Sequence, residues 1–322
     1  VKFAFIIDPI AKLDPGHDTS VALMEAAQIL GHEVWITEIS RLSVIKGQAW
    51  ANLEKVELKP LQIQDGRWVA ERDWYQLSTS QLLALGEMDA VFMRKDPPVT
   101  NSYLYATYIL DLIPPPTLVI NSPAGLRAAN EKMYALQFES AIPETIVTQD
   151  KKVGRQFLDE KGAVVIKPLG GKAGEGVLFV ASGDRNFNSM IEISTKHGLE
   201  PIMVQTYLPA AAEGDKRIIL LNGEPIGAVN RIPTLNEFRG NMAVGGSVAK
   251  VDITEREREI CATIAPKVRK DGLYFVGIDV IGGYLTEVNV TSPTGIREID
   301  LLNDTCLGKN VIEWVEEVKK SH

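Results

Sequence analysis

Cysteine is nearly missing from this chain: Cys261 and Cys306 are the only two in 322 residues. Both fall in helix-like surroundings without the spacing of a metal site. That excludes a disulfide framework and reads as two reduced, structural thiols. No apolar run approaches the length needed to span a membrane. The N-terminus opens on a strand rather than on a signal-peptide layout, so a cytoplasmic protein with no membrane partner is expected. Basic charge is in deficit, with 34 lysines and arginines against 42 acidic residues and a net charge of −8. This argues against a nucleic-acid surface. The two common nucleotide fingerprints, G-x-x-x-x-G-K-[ST] and G-x-G-x-x-G opening a helix, are missing. No Ser-His-Asp set or reactive cysteine is evident, and no internal repeat or low-complexity tract is visible.

What remains is an ordinary globular composition, 45% apolar and 24% charged, long enough for two or three compact units. Residues 1 to about 129 alternate strand and helix signals. Lys2 to Ile7 reads as a buried strand ending in Asp8-Pro9. Asp18 or Thr19 can cap a helix running to about Leu30. Glu33 to Ile39, Ala90 to Met93 and Thr117 to Ile120 read as further strands. The alternation predicts a parallel sheet, which places ligands at the carboxyl ends of its strands. Arg94-Lys95-Asp96-Pro97-Pro98 follows one such end and reads either as ligand-facing or as a surface turn. Gln48 to Leu58 is expected to form a hairpin, Trp68 and Trp74 to pack locally, and Ile113-Pro114-Pro115-Pro116 to be a rigid connector.

From Asn130 the organisation shifts. Asn130-Glu131-Lys132 is expected to start a helix through Phe138. Ala163 to Leu169 is an apolar strand closing on Lys167-Pro168. The glycine-rich segment Gly170, Gly171, Gly174, Gly176 then joins it to the strand Val177 to Val180, as a hairpin flap would. Glycine lets backbone N–H groups wrap an anion, and a lysine closing an apolar strand is costly to bury without an anionic partner. Lys132 and Lys167 therefore read as phosphate ligands under the flap, or as snorkelling surface lysines. Pro201 to Pro209, a strand running into a proline-ended turn, can line an adenine slot. Asn222-Gly223 is a hairpin signal; Arg217 starts one flanking strand and Arg231 follows the other. The irregular stretch from Ile232 to Gly246 carries Arg239 and Asn241 and reads as a lid over an anion or as a linker. Thr254 and Glu257 form a capping box for a helix to about Lys270.

Phe275 to Val290 reads as strand, Gly-Gly turn and strand, with Asp279, Glu287 and Asn289 interrupting the apolar pattern. Glu287 and Asn289 share a face. Asp279 joins them only through an odd-numbered or bulged connection; a strict two-residue loop pairs it with Thr286 and points it away. Two carboxylates and an amide oxygen suit a hard cation such as Mg2+; the same spacing is also that of an ordinary solvated sheet face.

Taken in order, Asp8-Pro9-Ile10, Arg94-Lys95-Asp96-Pro97-Pro98, Asn130-Glu131-Lys132, Ile166-Lys167-Pro168-Leu169, Gly214-Asp215-Lys216-Arg217, Arg231-Ile232-Pro233, Arg239-Gly240-Asn241, Gly277-Ile278-Asp279 and Thr286 to Thr294 closely resemble the bacterial glutathione synthetases, a family of ATP-grasp ligases. The resemblance covers nearly the whole chain. It implies an α/β protein, α+β in its ATP-binding part: an N-terminal parallel-sheet domain (1–129), a mobile ATP-grasp lid bearing the flap (130–200) and a C-terminal catalytic domain (201–322). It implies ATP as nucleotide, with Lys132, Lys167, Gly170, Gly171, Gly174, Gly176, Gln205, Thr206, Tyr207, Leu208 and Asp215 around it. Asp279, Glu287 and Asn289 would hold Mg2+, with Mn2+ as the alternative. Arg217, Arg231, Arg239 and Asn241 would serve the reacting groups, and Arg94, Ser292 and Thr294 the substrate. The implied partners are γ-glutamylcysteine and glycine, and the implied assembly is a homotetramer. Two departures stand out: the flap is one residue longer than the enterobacterial form, and His17 occupies a place expected to be basic. Asp279→Ala and Glu287→Ala are both expected to leave the fold intact and abolish Mg-dependent ADP release.

Overall fold

Four consecutive buried residues end β1 (Lys2–Ile6), as in a strand covered on both faces. The computed structural model describes residues 1–171, 174–234 and 246–320. Arg239 and Asn241 lie outside the described residues. After β1 come α1 (Thr19–Ile29), whose N-terminus is capped by the Asp18 carboxylate, and β2 (Glu33–Thr37). β3 (Leu42–Ile45) and β4 (Gln48–Leu58) follow, then β5 (Gln62–Gln64), β6 (Arg67–Val69), β7 (Tyr75–Leu77), β8 (Gln81–Ala84) and β9 (Ala90–Met93). α2 (Asn101–Leu110), β10 (Leu118–Ile120) and α3 (Pro123–Ala128) complete this part.

Its sheet runs β10-β9-β1-β2-β4-β3, with β7 and β8 also on β4. Only β10, β9, β1 and β2 are mutually parallel; β4 is antiparallel to β2, β3, β7 and β8. The expected parallel sheet is therefore mixed. Gln48 to Leu58 is one long strand rather than a hairpin, because the reversal falls earlier, at Lys46-Gly47, where both residues have positive φ. β5 and β6 pair only with each other, and Trp68 anchors that hairpin by donating from Nε1 to the Arg297 carbonyl at 2.8 Å.

The expected helix after Asn130 is a short 3-10 turn, Met133–Gln137. The Asn130 side chain accepts from the Lys132 and Met133 amides and so stops the chain at a turn. β11 (Thr145–Thr148), α4 (Lys151–Lys161), β12 (Ala163–Pro168), β13 (Leu178–Ala181), α5 (Phe187–Ser194) and β14 (Ile202–Thr206) then form an antiparallel sheet in the order β11-β14-β12-β13, with both helices packed on it. β14 lies inside this sheet, so the unit runs past residue 200. Its apolar side chains, among them Leu158, Val164, Ile166, Phe187 and Val204, form a cluster of their own.

The last sheet is β17-β16-β15-β18-β19, from β15 (Asp215–Leu221), β16 (Glu224–Ile232), β17 (Ser247–Lys250), β18 (Phe275–Ile281) and β19 (Tyr284–Asn289). α6 (Glu255–Lys270) and α7 (Ile296–Asn303) pack on it, and α8 (Leu307–Lys320) packs on α1 and α7. The Thr254–Glu257 capping box starts α6 as expected. Unlike the middle sheet, the first and last sheets share their apolar clusters: Ala4, Ile6 and Met93 pack in one group with Ile218, Val276 and Ile278. Among the described residues no helix is long and apolar enough to cross a membrane, and Cys261 and Cys306 are both unpaired.

Candidate active site

The Gly282-Gly283 turn is a two-residue loop with both φ values positive. Near the loop, Ile281 pairs with Tyr284 and Val280 with Leu285; one step on, Asp279 pairs with Glu287 and Gly277 with Asn289. One extra residue, Thr286, has been taken up as a bulge. Its hydroxyl donates to the Asp279 carbonyl at 3.2 Å. The bulge brings Asp279 to the face that Glu287 and Asn289 occupy. Gly277 must stay small here, since a Cβ would stand 2.8 Å from Pro293 Cβ and 3.1 Å from Arg217 Cδ.

These residues open onto a cleft of about 690 Å³ between the three sheets. Gln205, Thr206, Tyr207 and Leu208 line one part of it, Gly171 and Gly174 of the flap another, and Asp215, Arg217 and Arg231 its floor. Ser292 and Thr294 line the side toward the N-terminal sheet. Gly170 and Gly176 belong to the flap but not to the cleft wall. Arg94 is set one layer back: its guanidinium is buried, donating from Nε to Ser20 Oγ at 3.1 Å and from Nη2 to the Pro293 carbonyl at 2.9 Å.

The charged groups of the cleft hold one another or a polar neighbour at close range. Lys132 Nζ stands 3.1 Å from Glu287 Oε1 and donates to the Gly171 carbonyl at 3.1 Å. Lys167 Nζ donates to Gln205 Oε1 at 2.8 Å, and burial lowers its pKa against the pull of Glu287. Arg217 grips Asp279 with two bonds, Nε to Oδ1 at 2.5 Å and Nη2 to Oδ2 at 3.0 Å. Arg231 Nη2 is shared between Asp215 at 2.6 Å and Asp279 at 3.0 Å. Burial alone would push the Asp279 carboxyl up; the two guanidinium groups outweigh it and hold it below the ordinary carboxylate range. Asp215 is shifted the other way, raised by burial and by the Asp279 charge despite Arg231.

The same set can hold a metal. Among the described residues no three His, Cys, Asp or Glu side chains form a metal-sized group, so a third protein oxygen beside the two carboxylates would come from a neutral side chain or the main chain. Asn289 is placed for that: its Nδ2 donates to Asp279 Oδ2 at 3.2 Å, which orients the amide within the carboxylate pair. Asp279 Oδ1 accepts one hydrogen bond and keeps a lone pair. An all-oxygen set of this kind fits Mg2+ sharing its shell with phosphate.

Two further residues contribute: Glu131, which was not singled out from sequence, and His17, which stood out there as a departure. Glu131 lines the cleft, and its Oε1 accepts from the Val290 amide, the Thr291 amide and the Thr291 hydroxyl. His17, also on the wall, pairs through Nδ1 with Glu298 Oε1 at 2.5 Å. That hydrogen bond, with the charges of Glu298, Asp14 and Asp18, raises the His17 pKa over the opposing effect of burial. The sign follows: this pair supports the fold fully below the unfolded-state value near 6.5, and its support is lost as pH rises through the higher folded-state value. His17→Gln is expected to flatten that decline in melting temperature above neutral pH. An unchanged pH profile would show that the pair contributes nothing.

The profile for "Prokaryotic glutathione synthetase, N-terminal domain" matches residues 1–127, and that for "Prokaryotic glutathione synthetase, ATP-grasp domain" matches residues 131–304. The glutathione synthetase of Nostoc sp. is 67% identical over 318 residues, covering 98% of both chains. That of Thermosynechococcus vestitus is 67% identical over 316 residues, covering 98% of this chain and 99% of its own. Among solved structures, D-cycloserine synthetase DcsG aligns with a TM-score of 0.65 at 15% identity, over 99% of this chain and 100% of that one. The ATP-grasp ligase PsnB complexed with minimal precursor, Mg and ADP aligns with a TM-score of 0.62 at 15% identity, over 99% and 98%. The mixed α/β ATP-grasp fold is thus common to all of them.

Proposed function

The chain belongs to the prokaryotic glutathione synthetases, and on that premise we propose which of its residues carry each part of the ligation. The activity is ATP-dependent joining of γ-glutamylcysteine to glycine, with release of ADP and phosphate. A carboxylate is a poor electrophile because oxide is a poor leaving group. Its transient phosphorylation supplies a better one, which the glycine amine then displaces. Lys132 and Lys167 take the phosphate oxygens, and the Gln205–Leu208 segment takes the adenine. The Gly170–Gly176 flap covers them and keeps water from the acyl phosphate. Arg217 and Arg231, with Arg239 and Asn241 outside the described residues, neutralise charge on the reacting groups. Ser292 and Thr294 receive the peptide substrate, with Arg94 holding their turn from behind.

ATP-grasp enzymes use ATP with Mg2+. We assign the ion to Asp279, Glu287 and Asn289, and the same oxygen donors also suit Mn2+. Bound there, it supplies positive charge to the phosphate oxygens. The observation that carries this reading is the meeting of Lys132 with Glu287 at 3.1 Å beside the Asp279–Arg217 pair, which puts a cation grip and a metal-type face in one cleft.

We place the lid at residues 130 to 206, the other two units lying on either side of it; the apolar cluster private to β11–β14 supports that sheet's acting as a body, whereas Tyr134, Ala135, Phe138 and Ala141 pack in the group shared by the other two sheets. We carry forward a tetramer, supported by the exposed apolar residues Val99, Tyr105, Tyr108 and Leu112 around one helix and read by light scattering. We likewise carry forward a cytoplasmic location, supported by two free thiols. An ADP-release panel tests the function: γ-glutamylcysteine with glycine is expected to support turnover far above other amine donors. Preference for another acid or amine, or MgATP binding without donor-dependent turnover, would overturn it.

A further inference from the structure

The turn from Val290 to Gly295 lies outside helix and strand, yet its main chain is fixed from four distant side chains. Asn121 Nδ2 donates to the Val290 carbonyl at 2.8 Å. Arg94 donates to the Pro293 carbonyl at 2.9 Å and Arg217 to the Thr294 carbonyl at 3.0 Å. Glu131 Oε1 receives the Val290 amide at 2.9 Å, the Thr291 amide at 3.0 Å and the Thr291 hydroxyl at 2.8 Å. The carbonyls are thus held by donors and the amides by one carboxylate. Thr291 is buried with its hydroxyl turned to Glu131, and it shares the cleft wall with Ser292 and Thr294.

We propose that Glu131 is a positioning residue for the peptide substrate, fixing the turn that presents Ser292 and Thr294. The proposal rests on the reading that those two residues meet γ-glutamylcysteine. Two features set Glu131 apart from the other three anchors. Of the four, it alone offers the turn an acceptor, and a carboxylate gathering three donors makes a strong, charge-assisted set. It is also adjacent to Lys132, whose ammonium sits on Glu287. Its own carbonyl accepts from the Val288 amide at 3.0 Å, which pins this step of chain against β19. Residues 131 and 132 therefore hold the peptide-side turn and the triphosphate grip in one fixed relation. Burial makes this an unfavourable place for a carboxylate, and the nearby Glu287 adds to that; the three donors counter part of the penalty.

The test separates the Michaelis constants. Glu131→Gln keeps the size and one acceptor oxygen but removes the charge. Thr291→Val removes one of the three donors and leaves Glu131 in place. With glycine saturating, Glu131→Gln is expected to raise KM for γ-glutamylcysteine about tenfold, the worth of a weakened charged hydrogen bond, while KM for ATP moves by less than about twofold. Thr291→Val is expected to shift the same constant in the same direction by less, and it serves if Glu131→Gln fails to fold. Equal rises in both KM values, or a fall in kcat with both unchanged, would overturn the proposal and leave Glu131 a general structural residue. Wild-type turnover with γ-glutamylcysteine and glycine, run alongside, distinguishes that result from failure of the ligation reading.

Discussion

Asp279→Ala is expected to lose ADP release and thermal stability together, whereas Glu287→Ala loses ADP release alone. Both carboxylates belong to the proposed metal face, so removing either should lower turnover by roughly 10²–10³-fold or more, the scale for deleting a preorganised charge-stabilising group. Their surroundings differ. The Asp279 side chain is 6% exposed and is gripped by Arg217 and Arg231, whose side chains are 8% and 7% exposed. Removing one member of such a cluster leaves buried guanidinium charge uncompensated, at a cost of about 3–5 kcal/mol. The lower end applies here, because Arg231 keeps Asp215 and Arg217 keeps the Thr294 carbonyl. Glu287 is 24% exposed and, among the described residues, pairs with Lys132, which keeps the Gly171 carbonyl, so its loss should change stability by about 1 kcal/mol. The sequence suggested that both variants would fold normally; the geometry restricts that expectation to Glu287→Ala. Melting curves paired with Mg-dependent ADP release decide it. Near-normal turnover in Glu287→Ala would remove the metal assignment. An unchanged melting temperature in Asp279→Ala would show that the arginine cluster contributes nothing to the fold.

Lys167→Met should separate binding from folding in the opposite sense. The ammonium sits beneath the flap with Gln205 as its direct partner, and its removal is expected to cut kcat/KM for ATP by about 10²-fold or more. Burial depresses the Lys167 pKa, so the folded protein releases this proton more readily than the unfolded chain. At pH below the folded-state value the charge opposes folding. The penalty fades as pH rises between the folded-state and unfolded-state values. The melting temperature of Lys167→Met relative to wild type should therefore be highest near neutral pH and decline as alkali is added. A difference independent of pH would mean that burial of this charge carries no cost, and unaltered use of ATP would remove Lys167 from the nucleotide site.

The parts of this molecule that were legible in advance are those specified within a few residues. The Thr254–Glu257 capping box, the Asn222-Gly223 turn and the lysine-ended strand before the flap are each set by neighbours in sequence. The orientation of Asp279 was left open because it depends on the bulge at Thr286, which strand alternation cannot reveal. Glu131 was passed over for a related reason: its partners are about 160 positions away. Before its contacts are known, a glutamate beside a lysine reads as ordinary surface charge. The mixed character of the first sheet was missed because a reversal at Lys46-Gly47 carries only half of the usual Asn-Gly signature.

The apolar cluster private to the flap-bearing sheet has an energetic corollary. Swinging that sheet outward strips no buried side chain from the two large clusters that the other sheets share. The work of opening then falls on polar bridges such as Lys132 to the Gly171 carbonyl and Asn130 to the Leu169 carbonyl. Water can replace contacts of that kind at little net loss. An outward-swung population is therefore expected in the resting enzyme, with departure of ADP requiring no melting of secondary structure.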